Sequence, residues 1–218
     1  MKNKTILITG GTSGVGKEMV THFTKLGYDI YALGRNSDKV NFPCKSVDIS
    51  NESEIINFIN EIDNIDILIN NAAIYQRSDY DNIKQSDINS VIDINLKGSI
   101  MVTLHSIAKM KRGRIININS VAGLSGIKNQ SLYSASKAGL KVFMDSLSQE
   151  LIEKGILISN IHPGGINTEL WNSGNKYPGD VTKLLDPTDI INTVDYIIGL
   201  SDNVVVKDIT IFPTNEWH

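Results

Sequence analysis

The stretch "TILITGGTSGVG" at residues 5–16 decides the fold, because it joins an apolar run to a glycine-rich turn. The run predicts a buried strand, and residues 15–26 after it predict a helix. Gly10, Gly14 and Gly16 give the spacing G-x-x-x-G-x-G between the two. Glycine permits close backbone approach, and the helix that follows aims free N–H groups and its positive dipole end at an anion. The stretch therefore indicates a pyrophosphate site, although a plain strand-to-helix turn also explains it.

Apolar, β-branched runs recur along the chain and alternate with longer mixed segments. They predict strands at 5–10, 29–34, 44–50, 65–73, 113–120, 156–165 and 204–212, and helices at 15–26, 52–62, 86–111, 131–154 and from an Asp186 cap with Pro187 at the first helical position. Such strand-then-helix units predict right-handed crossovers in a parallel sheet. The strands read as apolar throughout, as expected when helices cover both sheet faces. A length of 218 residues suits one domain.

Composition excludes several classes of function. The formal net charge is −3 without a basic stripe, which argues against nucleic-acid and membrane-surface partners. The single cysteine, Cys44, excludes an internal disulfide and fits a reducing compartment. The first apolar run ends too soon at glycines for a signal peptide or a membrane span, so we expect a cytoplasmic protein. No cluster of His, Cys and carboxylates has metal-ligand spacing, so no metal is expected.

The end of the second predicted strand bears on the cofactor. In NAD-binding folds an acidic residue there accepts a hydrogen bond from the ribose 2′-hydroxyl. This chain has Gly34 and Arg35 instead, and an arginine can pair with a 2′-phosphate, which favours NADP over NAD. The alternative is a solvated surface arginine. Asp48 can accept from the adenine amino group or can cap the next helix.

Tyr133 and Lys137, in "SLYSASKAGL" (131–140), stand four residues apart on a predicted helix and so share a face. A nearby ammonium stabilises a phenolate and lowers the tyrosine pKa, which would make Tyr133 an acid–base group at neutral pH. Ser120 ends the preceding strand, at the sheet edge where ligands bind in open α/β folds. An amphipathic surface helix would explain Tyr133 and Lys137 alone, but it does not explain the glycine loop and Ser120.

Six motifs in order make the chain resemble the short-chain dehydrogenase/reductase family. They are "TGGTSGVG" (9–16), "NNAA" (70–73), "DINLKG" (93–98), "IININSVAG" (115–123), "YSASK" (133–137) and "HPGGINT" (162–168). The resemblance implies a single-domain, doubly wound Rossmann fold of class α/β. Its mostly parallel seven-stranded sheet would be flanked by helices on both faces and would span residues 1–218, with a short substrate lid near 169–187.

The resemblance also implies roles for individual residues. Tyr133 would be the general acid/base, Lys137 would lower its pKa and hold the nicotinamide ribose, Ser120 would bind the substrate oxygen, and Asn95 would anchor a proton-relay water. The implied cofactor-binding set is Gly10, Thr12, Ser13, Gly14, Val15, Gly16, Arg35, Asp48, Ile49, Asn71, Ala72, Tyr133, Lys137, Pro163, Gly164, Ile166 and Thr168.

The function implied is hydride transfer between NADP(H) and a small carbonyl or alcohol substrate, with NAD possible. A non-catalytic NAD(P)-binding redox sensor would not need the full Asn–Ser–Tyr–Lys set. An epimerase or dehydratase of the same fold usually has a longer chain and different glycine spacing. Family members are commonly homodimers or homotetramers built on the two long helices, here near 95–111 and 133–154.

Three departures from the family pattern stand out. Ala73 replaces the usual glycine and should narrow the space beside the cofactor. Ser13 stands where many NADP-preferring relatives have a basic residue. The lid is short, with Leu170 and Trp171 as its apolar candidates for substrate contact, although Trp171 could instead pack against the domain. The tail "FPTNEWH" could cover the pocket or meet a neighbouring subunit.

Overall fold

The structure is a computed structural model, and it describes residues 3–172, 177 and 179–215. Its strands are β1 (Thr5–Thr9), β2 (Asp29–Gly34), β3 (Lys45–Ser46), β4 (Ile67–Asn70), β5 (Gly113–Ile118), β6 (Ile156–Pro163) and β7 (Asp208–Ile211). Its α-helices are α1 (Gly14–Lys25), α2 (Glu52–Asn60), α3 (Gln85–Ile92), α4 (Ser99–Ile107), α5 (Ser131–Leu151) and α6 (Pro187–Gly199).

The seven strands form one sheet in the order β3-β2-β1-β4-β5-β6-β7, and every neighbouring pair is parallel. This confirms the predicted α/β class and the doubly wound Rossmann topology. The order reverses beside β1, so the loops after β1 and β4 diverge and leave a crevice at the carboxyl edge.

Two apolar cores lie on opposite faces of the sheet. One joins β-strand residues to α2, α4 and α5 through side chains such as Ile55, Val102 and Met144. The other joins them to α1 and α6 through Met19, Phe23 and Ile190 among others. The two-sided covering explains why the strands read as continuous apolar runs.

Several predicted boundaries were wrong. The third strand shrinks to Lys45–Ser46, which are exposed at the sheet edge and pair only with the end of β2. The last strand begins only at Asp208, and a turn in which the Val204 N–H donates to the Ser201 carbonyl lies ahead of it. The helix predicted over 86–111 is interrupted by a π-helical segment, Asp93–Gly98, between α3 and α4.

The prediction of wholly apolar strands was also wrong. A row of polar side chains crosses the sheet where Asn70, Asn117, Asn160 and Asp208 stand in register on four strands. Asn70 Nδ2 donates to Asn117 Oδ1 over 2.9 Å, and Asn117 Nδ2 donates to Asn160 Oδ1 over 3.0 Å. Buried carboxamides are tolerated when they satisfy one another. The row continues beyond the strands, since Asn70 also donates to Thr103 of α4.

Candidate active site

A cleft of about 940 Å³ opens at the carboxyl edge of the sheet. Its walls come from the segments after β1, β2, β4, β5 and β6, which the parallel topology brings to one edge. Of the predicted site residues, all line this cleft except Gly16 and Asn95.

The glycine loop forms the floor of one half of the cleft. Gly10 and Gly14 have left-handed φ values of 69° and 49°, which favour glycine. A Cβ on Gly10 would lie 2.9 Å from the Ala72 Cα, so that position also needs the smallest residue. Gly16 lies behind the loop, where a Cβ would meet the Gly10 carbonyl oxygen, and it therefore serves the packing of α1 rather than the cleft wall.

The start of α1 faces the cleft with groups suited to an anion. Ser13, the N-cap, makes no side-chain capping bond, and the first turn contains no acidic residue. The N-terminal N–H groups of a helix bind phosphate when no side chain occupies them. Thr12, Ser13, Gly14 and Val15 line the cleft here, so the loop fits the pyrophosphate of a dinucleotide.

Asn71 ties the glycine loop to the segment after β4. Its Nδ2 donates to the carbonyls of Thr9 at 3.0 Å and Gly10 at 3.3 Å, and its N–H donates to Thr9 Oγ1 at 3.0 Å. Ala72 N–H donates to the same hydroxyl at 3.0 Å. Thr9 therefore holds both walls together, a role that the sequence reading missed because a strand-end threonine carries no distinctive signal.

Arg35 and Asp48 stand at the far end of the cleft from Tyr133. Arg35 is exposed at the end of β2, with no carboxylate at that position. Asp48 Oδ1 accepts from Ser50 N at 2.9 Å and Ser50 Oγ at 2.8 Å. The bond from the Ser50 backbone chiefly lowers the pKa of Asp48, and Arg35 lowers it further. Asp48 thus forms a turn ahead of α2 and also lines the cleft at this end.

Ser120, Tyr133 and Lys137 meet at the other end of the cleft. Lys137 is 3% exposed, its Nζ donates to the Ile118 carbonyl over 2.9 Å, and it lies 5.8 Å from the centroid of the Tyr133 ring. The Ser120 hydroxyl accepts from the Ala122 N–H over 3.1 Å and hydrogen-bonds with Tyr133. The end of β5 therefore fixes both the serine and the lysine beside the phenol.

The predicted lowering of the Tyr133 pKa was wrong, because burial outweighs any attraction to Lys137. Burial raises the pKa of Tyr133 to about 12, and the hydrogen bond with Ser120 only partly opposes this effect. Burial likewise lowers the pKa of Lys137 to about 8. Removal from water disfavours both charged forms, and here that cost exceeds the attraction that the sequence suggested.

Asn95 lies behind the cleft wall instead of in it. It is fully buried in the π-helical segment, where its Oδ1 accepts from Ile74 N over 2.8 Å. Its Nδ2 donates to the Ile74 carbonyl at 2.9 Å and to Ser136 Oγ at 3.2 Å. These bonds join the segment after β4 to α5. The side chain thereby positions the cleft wall beside Tyr133. Its Oδ1 accepts only one of these three bonds, so one lone pair of that oxygen is not used by them.

The segment after β6 closes the cleft from the side. Pro163, Gly164, Ile166 and Thr168 all line it. Gly164 N–H donates to the Ile211 carbonyl over 2.8 Å, which anchors the segment on β7. Thr168 reaches across to the glycine loop, where a Cβ on Gly14 would lie 3.6 Å from its side chain. The segment therefore spans the two halves of the cleft.

A chain of edge-to-face aromatic rings leads from Tyr133 to the segment near 169–187 that was predicted to form a lid. Tyr133 and Tyr75 have ring centroids 5.2 Å apart, Tyr75 and Trp171 5.1 Å, and Trp171 and Tyr177 5.2 Å. Trp171 also donates from Nε1 to the Ile166 carbonyl over 2.7 Å, so it both lines the cleft and packs on the domain. The sequence reading missed Tyr75 and Tyr177.

The rest of the predicted lid is only partly described. Two 3₁₀ turns, Glu169–Asn172 and Val181–Lys183, lie within it. The side chain of Leu170, the glycine and proline at 174 and 178, and residues 216–218 of the tail lie outside the described residues.

Metal and membrane features were searched in the described part of the chain. There, no group of three or more His, Cys, Asp or Glu side chains is placed to hold a metal ion. No helix within the same ranges is long and apolar enough to cross a membrane.

Comparison with known proteins places the chain in a family. The family model described as short chain dehydrogenase matches residues 4–178. The chain belongs to the short-chain dehydrogenase family. It is therefore an NAD(P)-dependent oxidoreductase that acts on carbonyl or alcohol groups.

Individual relatives agree with this assignment. A 3-oxoacyl-acyl-carrier-protein reductase FabG of Rickettsia bellii is 32% identical over 94% of this chain and 93% of its own. The corresponding protein of Rickettsia prowazekii is 35% identical over 81% of this chain and 78% of its own. Among solved structures, the closed form of a serine dehydrogenase complexed with NADP⁺ has a TM-score of 0.90 at 25% identity, covering 98% of this chain and 96% of that one.

Proposed function

We propose that the protein is an NADPH-dependent carbonyl reductase in which Tyr133 donates the proton to the substrate oxygen. The observation that carries the proposal is the meeting of Ser120, Tyr133 and Lys137 at one end of the cleft, with Lys137 held on the Ile118 carbonyl over 2.9 Å. A phenol, a hydroxyl and an ammonium around one point suit a carbonyl that becomes an alcohol.

The cofactor would lie along the cleft from Arg35 to Tyr133. The N-terminal N–H groups of α1 would hold the pyrophosphate, and Lys137 with the segment from Pro163 to Thr168 would hold the nicotinamide end. Bound nicotinamide supplies the hydride, while the chain supplies orientation and proton transfer. The cradle at Gly10, which a Cβ would fill, supports this fit.

The protonated state of Tyr133 suits the reductive direction. With a pKa of about 12, the phenol is protonated at neutral pH and is ready to donate. Ser120 would orient the carbonyl oxygen, and its hydrogen bond would stabilise the phenolate left behind. The Lys137 ammonium would add to that stabilisation. The relatives named as reductases support the same direction.

We further infer a preference for NADP over NAD. Arg35 stands where an acidic residue would repel a 2′-phosphate, and arginine pairs well with phosphate. The NADP⁺ named with the related serine dehydrogenase structure supports the inference. Ser13 does not add a basic group, so Arg35 carries the preference alone.

A dimer or tetramer built on α4 and α5 is also proposed. Leu104 is 49% exposed and Val142 is 65% exposed on these helices, which leaves apolar surface for a second copy. Leu140 and Leu147 of α5 are buried in the core and so are not available to it.

The function is tested by titrating the protein with NADPH and NADH and then adding aldehydes and ketones. We expect tighter binding of NADPH and its oxidation by at least some carbonyl compounds, followed by absorbance at 340 nm. Tight NADPH binding without turnover of any carbonyl compound would favour a redox sensor. Tighter binding of NADH would contradict the cofactor preference.

A further inference from the structure

The substrate end of the cleft carries two basic side chains that the hydride chemistry does not use. Arg77 follows β4 and Lys128 follows β5, and both are exposed and line the cleft. Neither forms an ion pair with any residue that the structure describes. Two unpaired cations at the mouth of a binding cleft attract an anion.

The two cations are held on neighbouring loops. Ser78 N–H donates to the Asn129 carbonyl over 2.9 Å, and each partner is the next residue after one of the cations. Asn129 has a left-handed φ of 65°, so the loop turns sharply at this bond. The bond fixes the two loop backbones beside each other, which places Arg77 and Lys128 on the same side of the cleft mouth.

The cations lie close to the reacting end. Arg77 acts electrostatically on the Tyr75 phenol, where it opposes the burial that raises the pKa of Tyr75. Tyr75 in turn packs edge-to-face on Tyr133, with ring centroids 5.2 Å apart. The Tyr75 ring therefore lies within reach of the Arg77 charge and packs on the residue proposed to protonate the carbonyl.

The surrounding charges leave this end positive. Among the described residues that line the cleft, the acids are Asp48, at the Arg35 end, and Glu169, on the lid. Glu169 is exposed, and it forms no ion pair with Arg77 or Lys128. The aromatic rings of Tyr75 and Trp171 form the wall between, which suits a flat or apolar substrate body.

We propose that the substrate is a carbonyl compound with a flat or apolar body that ends in an anionic group, a carboxylate or a phosphate, bound by Arg77 and Lys128. This inference rests on the proposed function and names the substrate class for the same site. The carbonyl lies at Ser120 and Tyr133, the body lies along Tyr75 and Trp171, and the anion lies at the cleft mouth.

The first test compares matched pairs of aldehydes that differ in charge. One pair is 4-formylbenzoate and its methyl ester, and the other is 4-formylphenyl phosphate and 4-methoxybenzaldehyde. We expect kcat/KM to be at least about tenfold higher for the anionic member. That advantage should shrink as salt rises from about 0.05 M to about 0.5 M, since screening weakens exposed charge pairs. The better of the two anions identifies carboxylate or phosphate as the natural terminus.

The second test removes the cations. The double variant Arg77→Gln/Lys128→Gln should lose about tenfold in kcat/KM for the anion and change the neutral member by less than about twofold. The matched control is Lys111→Gln/Arg112→Gln, which removes the same charge at the opposite edge of the sheet, just before β5. The control should leave both substrates unchanged.

The outcomes separate this inference from the proposed function. Equal reduction of anionic and neutral members would overturn the inference and leave the reductase intact. If no carbonyl compound is reduced, the reductase proposal fails, and the inference is then tested by ligand binding without turnover. Ligand-observed NMR with 4-acetylbenzoate and its methyl ester should then show tighter binding of the acid, lost in the cleft variant; equal binding would overturn it.

Discussion

Arg35 and Lys137 show how single charges act at the two ends of the cleft. Arg35 is exposed and acts on a ligand, whereas Lys137 is buried and acts within the protein. A charge of the first kind is expected to affect binding, and a charge of the second kind to affect the stability of the fold.

Arg35→Ala should weaken NADPH binding by about 10- to 100-fold, because a charge-assisted pair with the 2′-phosphate is lost. NADH, which lacks that phosphate, should bind within about threefold of its wild-type affinity. Fluorescence titration with both nucleotides measures the two affinities. Arg112→Ala, an exposed arginine at the other edge of the sheet, is the matched control. An equal loss of affinity for both nucleotides would contradict the pairing of Arg35 with the 2′-phosphate.

The buried Lys137 should make stability depend on pH. Its pKa is about 8 in the folded protein, against about 10.4 in an unfolded chain. The unfolded chain binds more protons across that window, so stability gained from deprotonating Lys137 rises with pH there. Lys137→Met lacks this gain, so its stability relative to wild type should fall by about 2 kcal/mol between about pH 8 and about pH 10.

Denaturant unfolding of both proteins at several pH values measures that difference. Lys141→Met is the control, because Lys141 lies one turn further along α5 and pairs with Asp145 over 2.6 Å. That partner raises the pKa of Lys141, so the control should show no such fall in this window. A constant difference between wild type and Lys137→Met would contradict the buried-charge account.

At the scale of elements, the polar row across β4 to β7 is the feature that could not be predicted from the sequence. Each asparagine ends or interrupts an apolar run, and no single run shows that the three stand opposite one another. Register is decided by the pairing of the strands, which a single sequence does not display. The π-helical segment was missed for a similar reason, since its bonds to Ile74 and Ser136 come from distant parts of the chain.

Asn117→Ala tests the row at its centre. Its neighbours, Asn70 and Asn160, would each lose a buried hydrogen bond, which should cost about 2–4 kcal/mol of stability. Thermal or urea unfolding measures the loss. Ser159→Ala is the matched control, because this buried hydroxyl of β6 has no partner among the described residues. It should change stability by less than about 1 kcal/mol. Equal losses of stability in the two variants would show that the row of hydrogen bonds does not stabilise the fold.

Gly98→Ala tests the contact between the π-helical segment and the cleft wall. A Cβ there would lie 2.6 Å from the Ile49 carbonyl oxygen, so backbone must shift. We expect a loss of about 1–3 kcal/mol in stability together with weaker NADPH binding, because Ile49 lines the cleft. Gly199→Ala, at the end of α6 with open space around it, should be neutral or slightly stabilising. A neutral Gly98→Ala would refute this packing.

At the scale of the whole molecule, the parallel sheet and the place of the site at its carboxyl edge were predictable, because parallel strands deliver their carboxyl ends to one edge. The glycine loop, Ser120, Tyr133 and Lys137 all follow that rule. Burial was not predictable, so the sequence suggested the wrong direction for the Tyr133 pKa. The row of aromatic ring contacts was also not predictable, because Tyr75 is far from Trp171 and Tyr177 in the sequence.

The account centres on Tyr133 as the proton donor in a site that several strands assemble. Tyr133→Phe keeps the ring and its contact with Tyr75 and removes only the hydroxyl. Tyr196→Phe is the control, since Tyr196 is 56% exposed on α6 away from the cleft. Both variants should fold and should bind NADPH as wild type does.

The decisive measurement is the single-turnover rate of NADPH oxidation by an accepted carbonyl substrate in Tyr133→Phe. Our account predicts a fall of at least about 100-fold, the usual contribution of a positioned acid, with NADPH affinity unchanged and the control unaffected. A rate within a few-fold of wild type would contradict it.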